Sequence, residues 1–284
     1  MRKPVVIAFL VLFCAFASFS WSFDLSPVSC FQPLSKEEQQ IEKEIMQYGY
    51  PDTATLRYRT DYVLSYDGRN RVPHWVCEHL NAERLKGDAD RKKSKFKEDP
   101  SIPVEFRSTL NDYKGSGFDR GHMAPAADHK SSQKAMDDTF FLSNMSPQVG
   151  IGFNRDYWSR LEDRVREWAL SKKELYVYTG PLYIPEAEAD GKKYVKYQVI
   201  GGNNVAVPTH FFKVILAEMA DGRIEMLAFV LPNRKIPPDT ALASFLASVD
   251  EVERLSGLDF FNVLDRETQE RMEKERQTRV WGSE

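Results

Sequence analysis

Short runs of apolar and β-branched residues occur along most of the chain, and turn-forming residues bound several of them. The first two runs are separated by Asp67-Gly68-Arg69-Asn70, a sequence typical of a turn, and together they predict a β-hairpin. The pattern as a whole predicts a largely antiparallel sheet with strands at residues 61–66, 72–78, 175–179, 195–200, 205–216 and 224–231.

Apolar residues with helical spacing predict helices that pack on this sheet. Trp158, Leu161, Val165 and Trp168 lie three or four positions apart, which places them on one face of a helix. A sheet covered by a few helices predicts the α+β fold class. The other predicted helices are a short one that follows a capping box at Ser35 and Glu38, and one over 241–255 that stops at Gly257.

The first residues of the chain have the pattern of a targeting segment. Arg2 and Lys3 precede an uncharged stretch that ends before Asp24, as in a secretory signal peptide. The stretch is also long enough for a membrane-spanning helix, so an N-terminal membrane anchor is the alternative. We therefore expect a leader at 1–23, a lead-in helix and linker at 24–55, one folded domain at 56–263 and a charged C-terminal tail at 264–284.

Composition and charge narrow the class of protein. With 42% hydrophobic and 29% charged residues, the chain is typical of a globular protein and not of a disordered or multi-spanning one. The net charge of -3 excludes a polycation, so any binding of nucleic acid requires a local basic region. Residues 84–97 are such a region, with seven lysine or arginine residues and two aspartates.

The segment Asp119-Arg120-Gly121-His122 contains the first candidate for chemistry. An imidazole and a guanidinium on one short, tight element can project toward the same place. A loop histidine beside a surface arginine is the alternative, and it is the commoner meaning of an isolated histidine. Asn144, in the segment 142–148 that ends in Pro147-Gln148, has a turn as its simplest interpretation.

Asn154 and Glu162 are the second candidate pair. Asn154 begins the amphipathic helix, where asparagine is a good N-cap, and Glu162 alone would be a solvated carboxylate. Eight residues of helix rise about 12 Å, so both side chains are not expected to bind one ion directly. Asn154 in direct contact with a metal ion, with Glu162 acting through water, is a reasonable arrangement.

Taken in order, these motifs resemble the DNA/RNA non-specific endonuclease family, and within it the endonuclease G branch. The resemblance is carried by Asp119-Arg120-Gly121-His122, by residues 138–148, and by Asn154 with Tyr157-Trp158 and Leu161-Glu162. It extends to residues 48–51, 71–76, 178–183 and 205–213. The family's fold is a ββα-metal, or His-Me finger, nuclease on an antiparallel sheet, which agrees with the α+β prediction.

The resemblance implies a role for each candidate residue. His122 would be the general base, Asn154 the direct ligand of Mg2+, and Glu162 would orient the hydrated ion through water. Arg120 and Asn144 would line the site. Mn2+ is the alternative ion, and the products would carry 5'-phosphates. The basic residues Arg91, Lys92, Lys93 and Lys95 would contact substrate phosphates, although a solvated charge run is the commoner meaning of such a stretch.

The resemblance also implies partners and a location. DNA and RNA would be substrates, the protein would be a homodimer, and it would reside at the mitochondrial inner membrane or in the intermembrane space, with the N-terminal segment as a membrane attachment. Two alternatives stay open at this point. One is a secreted scavenging nuclease with the same chemistry, and the other is a catalytically silent nucleic-acid-binding homologue.

Overall fold

A seven-stranded antiparallel sheet forms the centre of the computed structural model, which describes residues 33–282. The predicted leader at 1–23 lies outside the described residues. The strands are ordered β1-β2-β3-β6-β11-β12-β13 across the sheet. They are β1 (Leu56–Tyr58), β2 (Tyr62–Asp67), β3 (Val72–Leu80), β6 (Glu174–Leu182), β11 (His210–Glu218), β12 (Ile224–Pro232) and β13 (Leu246–Ala247).

Both faces of this sheet are buried, which explains why its strands read as nearly continuous apolar runs. On β11, Phe211 and Ile215 pack into one hydrophobic cluster, whereas Phe212 and Val214 pack into the other. Successive side chains of a strand point to opposite faces, so a strand covered on both sides needs apolar residues at nearly every position. The predicted antiparallel sheet, including the β2–β3 hairpin, is confirmed.

Helices cover the sheet on its two faces. On one face lies α4, where Leu161, Val165 and Trp168 are buried together with Trp158, the residue just before the helix, as the helical spacing predicts. Residues of α1 and α5 contribute to the cluster on the other face. The helices are α1 (Lys36–Ile45), α2 (Leu110–Tyr113), α3 (Gln133–Asp138), α4 (Ser159–Ser171), α5 (Val249–Ser256) and α6 (Arg266–Glu273).

The helix predicted over 241–255 is wrong in its first half. Leu242–Phe245 form a 3-10 turn, Leu246–Ala247 form β13 at the sheet edge, and α5 begins only at Val249, where Ser248 is the N-cap. The predicted end is confirmed, because Gly257 has a φ of 74°, the left-handed conformation that favours glycine after a helix.

A ββα unit sits beside the central sheet and places the candidate residues. Strand β4 (Phe118–His122) pairs with β5 (Met145–Val149), and the chain then enters a helical segment, Gly150–Trp158, that continues into α4. Gly152 has a φ of 89°, and an added Cβ would lie 2.4 Å from Lys235 Cγ. Glycine thus permits the sharp entry into the helix that carries Asn154 and Glu162.

The smaller strands form two-stranded ribbons outside the main sheet. Their bounds are β7 (Glu186–Ala187), β8 (Lys193–Tyr194), β9 (Val199–Ile200) and β10 (Val205–Ala206). The strand predicted over 195–200 is therefore shorter than expected, and the run over 205–216 is divided between β10 and β11.

The charged C-terminal residues pack on the domain at two points. Met272 of α6 contacts the cluster that contains α5. Trp281 packs edge-on against Trp168, with ring centroids 5.3 Å apart, and its carbonyl oxygen accepts a hydrogen bond from Trp168 Nε1 at 3.0 Å. Among residues 33–282, no helix has both the length and the apolar character needed to cross a bilayer.

Candidate active site

Five of the predicted site residues converge on one pocket of about 280 Å³. His122 and Arg120 come from β4, Asn154 and Glu162 from the helix of the ββα unit, and Arg91 from the basic segment. Arg155 and Arg166 also reach the pocket, so arginines provide most of its charge. The remaining lining residues are Pro125, Ala126, Ala127 and Ser159.

Strand β4 directs Arg120 and His122 into the same space. The two residues are two positions apart in a strand, so their side chains leave the same face. Gly121 between them faces Gln148, and a Cβ on Gly121 would lie only 2.0 Å from Gln148 Oε1. Because Gln148 is completely buried, it has little room to move, and glycine is required for the close pairing of β4 with β5.

Two aromatic rings support the basic side chains of the pocket. The Arg120 guanidinium lies 4.2 Å from the centroid of Phe96, and that of Arg91 lies 5.7 Å from the centroid of Phe140. The His122 ring lies 5.6 Å from Phe96 and meets Phe140 edge-on at 5.1 Å. Sequence reasoning assigned neither phenylalanine a role, because each acts across a long sequence separation.

His122 is held in its neutral form. Burial, followed by the positive charges of Arg91, His129 and Arg120, lowers the pKa of its imidazole to about 3. Within the described chain, its buried Nε2 atom has no hydrogen-bond partner. At neutral pH the imidazole is therefore a proton acceptor.

Asn154 is fixed by a contact that the sequence did not reveal. Its Nδ2 donates to Asp119 Oδ2 at 2.9 Å, and Arg155 binds both oxygens of the same carboxylate. Arg155 and Asn154 lower the pKa of Asp119, so this carboxylate remains ionised. Because the side-chain nitrogen Nδ2 is engaged in this way, the side-chain oxygen Oδ1 of Asn154 remains available for a ligand. The only sequence signal for Asp119 is its place beside Arg120 in a short strand.

Glu162 lies at the pocket above a group of buried charges. Burial raises the pKa of Glu162 to about 8, and the positive charge of Lys213 on β11 opposes this shift. Lys213 is itself buried, donates to Thr179 Oγ1 at 2.8 Å, and lies 5.2 Å from the ring of Trp158. Arg166 at the pocket wall pairs with the buried Asp128 at 2.6 Å.

Asn144 occupies a different place from the pocket-lining position expected of it. Its side chain is completely buried, and its Oδ1 accepts a hydrogen bond from the Ala124 amide at 2.9 Å. Its Nδ2 donates to the carbonyl oxygens of Ala124 and Thr139, both at 2.9 Å. All of these partners are backbone groups of the protein itself. The asparagine therefore stabilises the backbone that follows His122 and does not face the pocket.

The basic segment is divided between the pocket and the surface. Arg91–Lys93 form one 3-10 turn, which Asp90 caps by accepting a hydrogen bond from the Lys92 amide at 2.9 Å. Gln133 of α3 accepts from the Asp90 amide at 3.0 Å and so ties this turn to the fold. Arg91 reaches the pocket, whereas Lys92, Lys93 and Lys95 are exposed beside it.

Comparison with known proteins agrees with this arrangement. A family model described as DNA/RNA non-specific endonuclease matches residues 41–267. The chain is 54% identical over 224 residues to mitochondrial endonuclease G of Caenorhabditis elegans, an alignment that covers 78% of this chain and 73% of the relative. It is also 54% identical over 229 residues to nuclease C1 of Cunninghamella echinulata var. echinulata, with 80% and 90% of the two chains covered.

A solved structure gives the same result. A chain from the crystal structure of an EndoG/EndoGI complex, on the mechanism of EndoG inhibition, matches with a TM-score of 0.78 and 54% identity. The match covers 80% of this chain and 93% of the other. The fold and the relatives together define a nuclease. The chain belongs to the DNA/RNA non-specific endonuclease family.

Proposed function

We propose that this nuclease is a Mg2+-dependent, sugar-non-specific endonuclease that hydrolyses DNA and RNA to 5'-phosphate products. The observation that carries the proposal is the neutral, buried His122 in a pocket rich in arginine. A neutral imidazole can accept a proton from water, and the arginines attract the phosphodiester on which that water acts.

His122 gains basicity when a phosphate enters the pocket. In the free protein, Arg91 and Arg120 oppose protonation of the imidazole. An anionic phosphate bound to these arginines offsets their charge, which removes part of that opposition. The histidine then accepts the proton of the attacking water at the moment when negative charge collects on the phosphate, and Arg120 stabilises that charge.

The residues around Asn154 fit a hard divalent cation. Asn154 would hold the ion directly through its carbonyl oxygen, and Glu162 would hold it through water. Oxygen ligands with several retained waters suit Mg2+, with Mn2+ as the alternative. When bound, the ion would neutralise charge on the phosphate and supply an acidic water for the departing sugar oxygen. Asp119 and Asn144 act as positioning residues, for Asn154 and for the backbone after His122.

Cleavage of a supercoiled plasmid and of a long RNA by the purified protein tests this proposal. We expect Mg2+-dependent nicking of the plasmid, shortening of the RNA, and product ends that are 5'-phosphorylated. EDTA should stop both reactions. Binding of both nucleic acids without cleavage would instead favour the silent homologue, and loss of nucleotides from free ends alone would contradict endonucleolytic cutting.

Replacement of Asp119 should raise the Mg2+ concentration required for activity. Asp119→Ala removes the partner of Asn154 Nδ2, so the amide is no longer fixed. Loss of such an orienting contact typically weakens metal affinity by about tenfold to a hundredfold. The measurement is cleavage rate against Mg2+ concentration, with Glu167→Ala on the exposed side of α4 as the control. An unchanged Mg2+ dependence in Asp119→Ala would remove Asp119 from the site.

Neutralising Lys92, Lys93 and Lys95 together should weaken DNA binding and flatten its dependence on salt. Each phosphate contact that is lost lowers the slope of log affinity against log salt by about 0.9. Binding is measured at several salt concentrations without Mg2+. The control replaces Lys192, Lys193 and Lys196, three exposed lysines around β8 that do not line the pocket. Equal slopes in both triple variants would show that residues 92–95 are an ordinary solvated surface.

We also propose that the protein is a homodimer, that it is located in mitochondria and that its leader attaches it to a membrane. The mitochondrial name of the C. elegans relative supports the location. Imaging of the chain with a C-terminal fluorescent tag distinguishes mitochondria from secretion, and extraction with carbonate distinguishes membrane attachment from a soluble protein. Light scattering measures the oligomeric state. We further propose a lead-in helix and linker at 24–55, one nuclease domain at 56–263 and a charged C-terminal tail at 264–284.

A further inference from the structure

Three carboxylates meet between α5 and α6, on the face of the sheet opposite the ββα unit. Asp250 and Glu253 are three residues apart on α5, so they share one face of that helix, and Glu273 comes from the end of α6. One carboxylate oxygen of each residue lies within 4.8 Å of the others. This carboxylate cluster has the spacing of ligands around a single ion.

Glu273 is buried without a partner of opposite charge. Its side chain is only 5% exposed, and in the described part of the chain its Oε1 atom has no hydrogen-bond partner. No lysine, arginine or histidine nitrogen between residues 33 and 282 lies within 4.0 Å of Asp250, Glu253 or Glu273. Glu253 has one further contact, since its Oε1 accepts the Phe260 amide at 2.8 Å.

Burial of three neighbouring carboxylates destabilises the folded protein unless a positive charge compensates for them. A buried carboxylate without a counter-charge is strongly unfavourable, and two neighbouring carboxylates make it more so. Yet Met272, the residue before Glu273, is packed on the same cluster of apolar residues as α5, so docking of α6 carries the carboxylate inward. Either a cation or a shared proton must compensate for the negative charge.

We propose that Asp250, Glu253 and Glu273 bind Ca2+ and that the ion fastens α6 to α5. Carboxylate oxygens are hard ligands, which favour Ca2+ over metals that prefer nitrogen or sulfur. Ca2+ accepts several carboxylates in flexible geometry, whereas Mg2+ retains most of its water and is seldom bound by protein carboxylates alone. None of the three carboxylates lines the catalytic pocket, so the proposed site is separate from it.

Thermal unfolding of the purified full chain in Ca2+ and in EDTA tests this site. An ion at a hundred times its Kd should raise Tm by about 5–10 °C. We expect Glu273→Gln to abolish the increase. In EDTA, at a pH high enough to ionise Glu273 in wild type, this variant should also melt above wild type, because it removes a buried, uncompensated charge. Glu267→Gln, an equivalent change at an exposed position of α6, should keep the wild-type response.

Two further variants separate this site from the pocket and from a shared proton. Asn154→Ala should retain the Ca2+ response, and Asp250→Asn, at a partly exposed position, should weaken it even if Glu273→Gln does not fold. Loss of the response in Asn154→Ala with its retention in Glu273→Gln would place Ca2+ in the pocket and overturn the proposal. No Ca2+ response in wild type, even at a pH high enough to ionise all three carboxyls, would show that the cluster does not bind Ca2+ and would overturn the proposal.

Discussion

Replacement of His122 by alanine is expected to lower the cleavage rate by about a hundredfold to ten-thousandfold, the usual contribution of a general base. Nucleic-acid binding should change little, because the neutral imidazole adds no charge to a pocket whose positive groups are arginines. Single-turnover cleavage in Mg2+ and equilibrium binding without Mg2+ measure the two effects separately.

Added imidazole provides a sharper test of the same residue. The alanine variant leaves a space between Phe96 and Phe140, where a free imidazole can bind and accept the proton. Partial recovery of rate with imidazole would support proton transfer at this position. The control is His210→Ala, since His210 lies outside the pocket and bonds to Thr209 Oγ1. A nearly wild-type rate for His122→Ala would contradict the mechanism.

Replacement of Asn154 by alanine is expected to nearly eliminate cleavage at ordinary Mg2+ concentration while the protein stays folded. The variant loses both the proposed ligand oxygen and the bond to Asp119. If Asn154 were only a helix cap, the main effect would be a loss of stability of about 1 kcal/mol with a modest change in rate. Cleavage rate against Mg2+ concentration and Tm, measured together, distinguish the two roles.

Aspartate at position 154 distinguishes them further. Aspartate is also a good cap, but here it would place a second carboxylate against Asp119, where the Asn154 amide now donates at 2.9 Å. We expect Asn154→Asp to be impaired, and Asp119→Asn combined with Asn154→Asp to recover activity, because the donor and acceptor are exchanged. Parallel Mg2+ curves for all variants, with changes in Tm alone, would show that the metal assignment is wrong.

The sequence was most informative where one local pattern determines the structure. The spacing of Trp158, Leu161, Val165 and Trp168 identified α4, because a helix face depends on residues close in sequence. The helical prediction for residues 241–248 was wrong because a contact distant in sequence decides the structure there. Its apolar residues fit a helix, but pairing of Leu246–Ala247 with β12 at the sheet edge overrides that preference.

The candidate site divides in the same way. His122, Arg120, Asn154 and Glu162 could be singled out because short motifs contain them, and the structure brings all four to one pocket. The motifs also contained Asp119 and Phe140, but their roles were missed, as was that of Phe96, because these roles arise from contacts with residues far along the chain. The direction of the Asn144 side chain was equally hidden, because a motif shows that an amide is present but not which way it faces.

Lys213 links the pocket to the way in which the domain unfolds. Lys213 is a residue of β11 in the central sheet, yet its ammonium group lies near Trp158 and Glu162 of the ββα unit. If that unit detached while the sheet stayed intact, Lys213 would lose these neighbours and the packed rings of Phe153, Trp158 and Phe211 would become exposed to water. Partial opening is therefore penalised, and sheet and ββα unit should unfold as one cooperative block. Amide protons near the pocket would then exchange with solvent as slowly as those of the central strands.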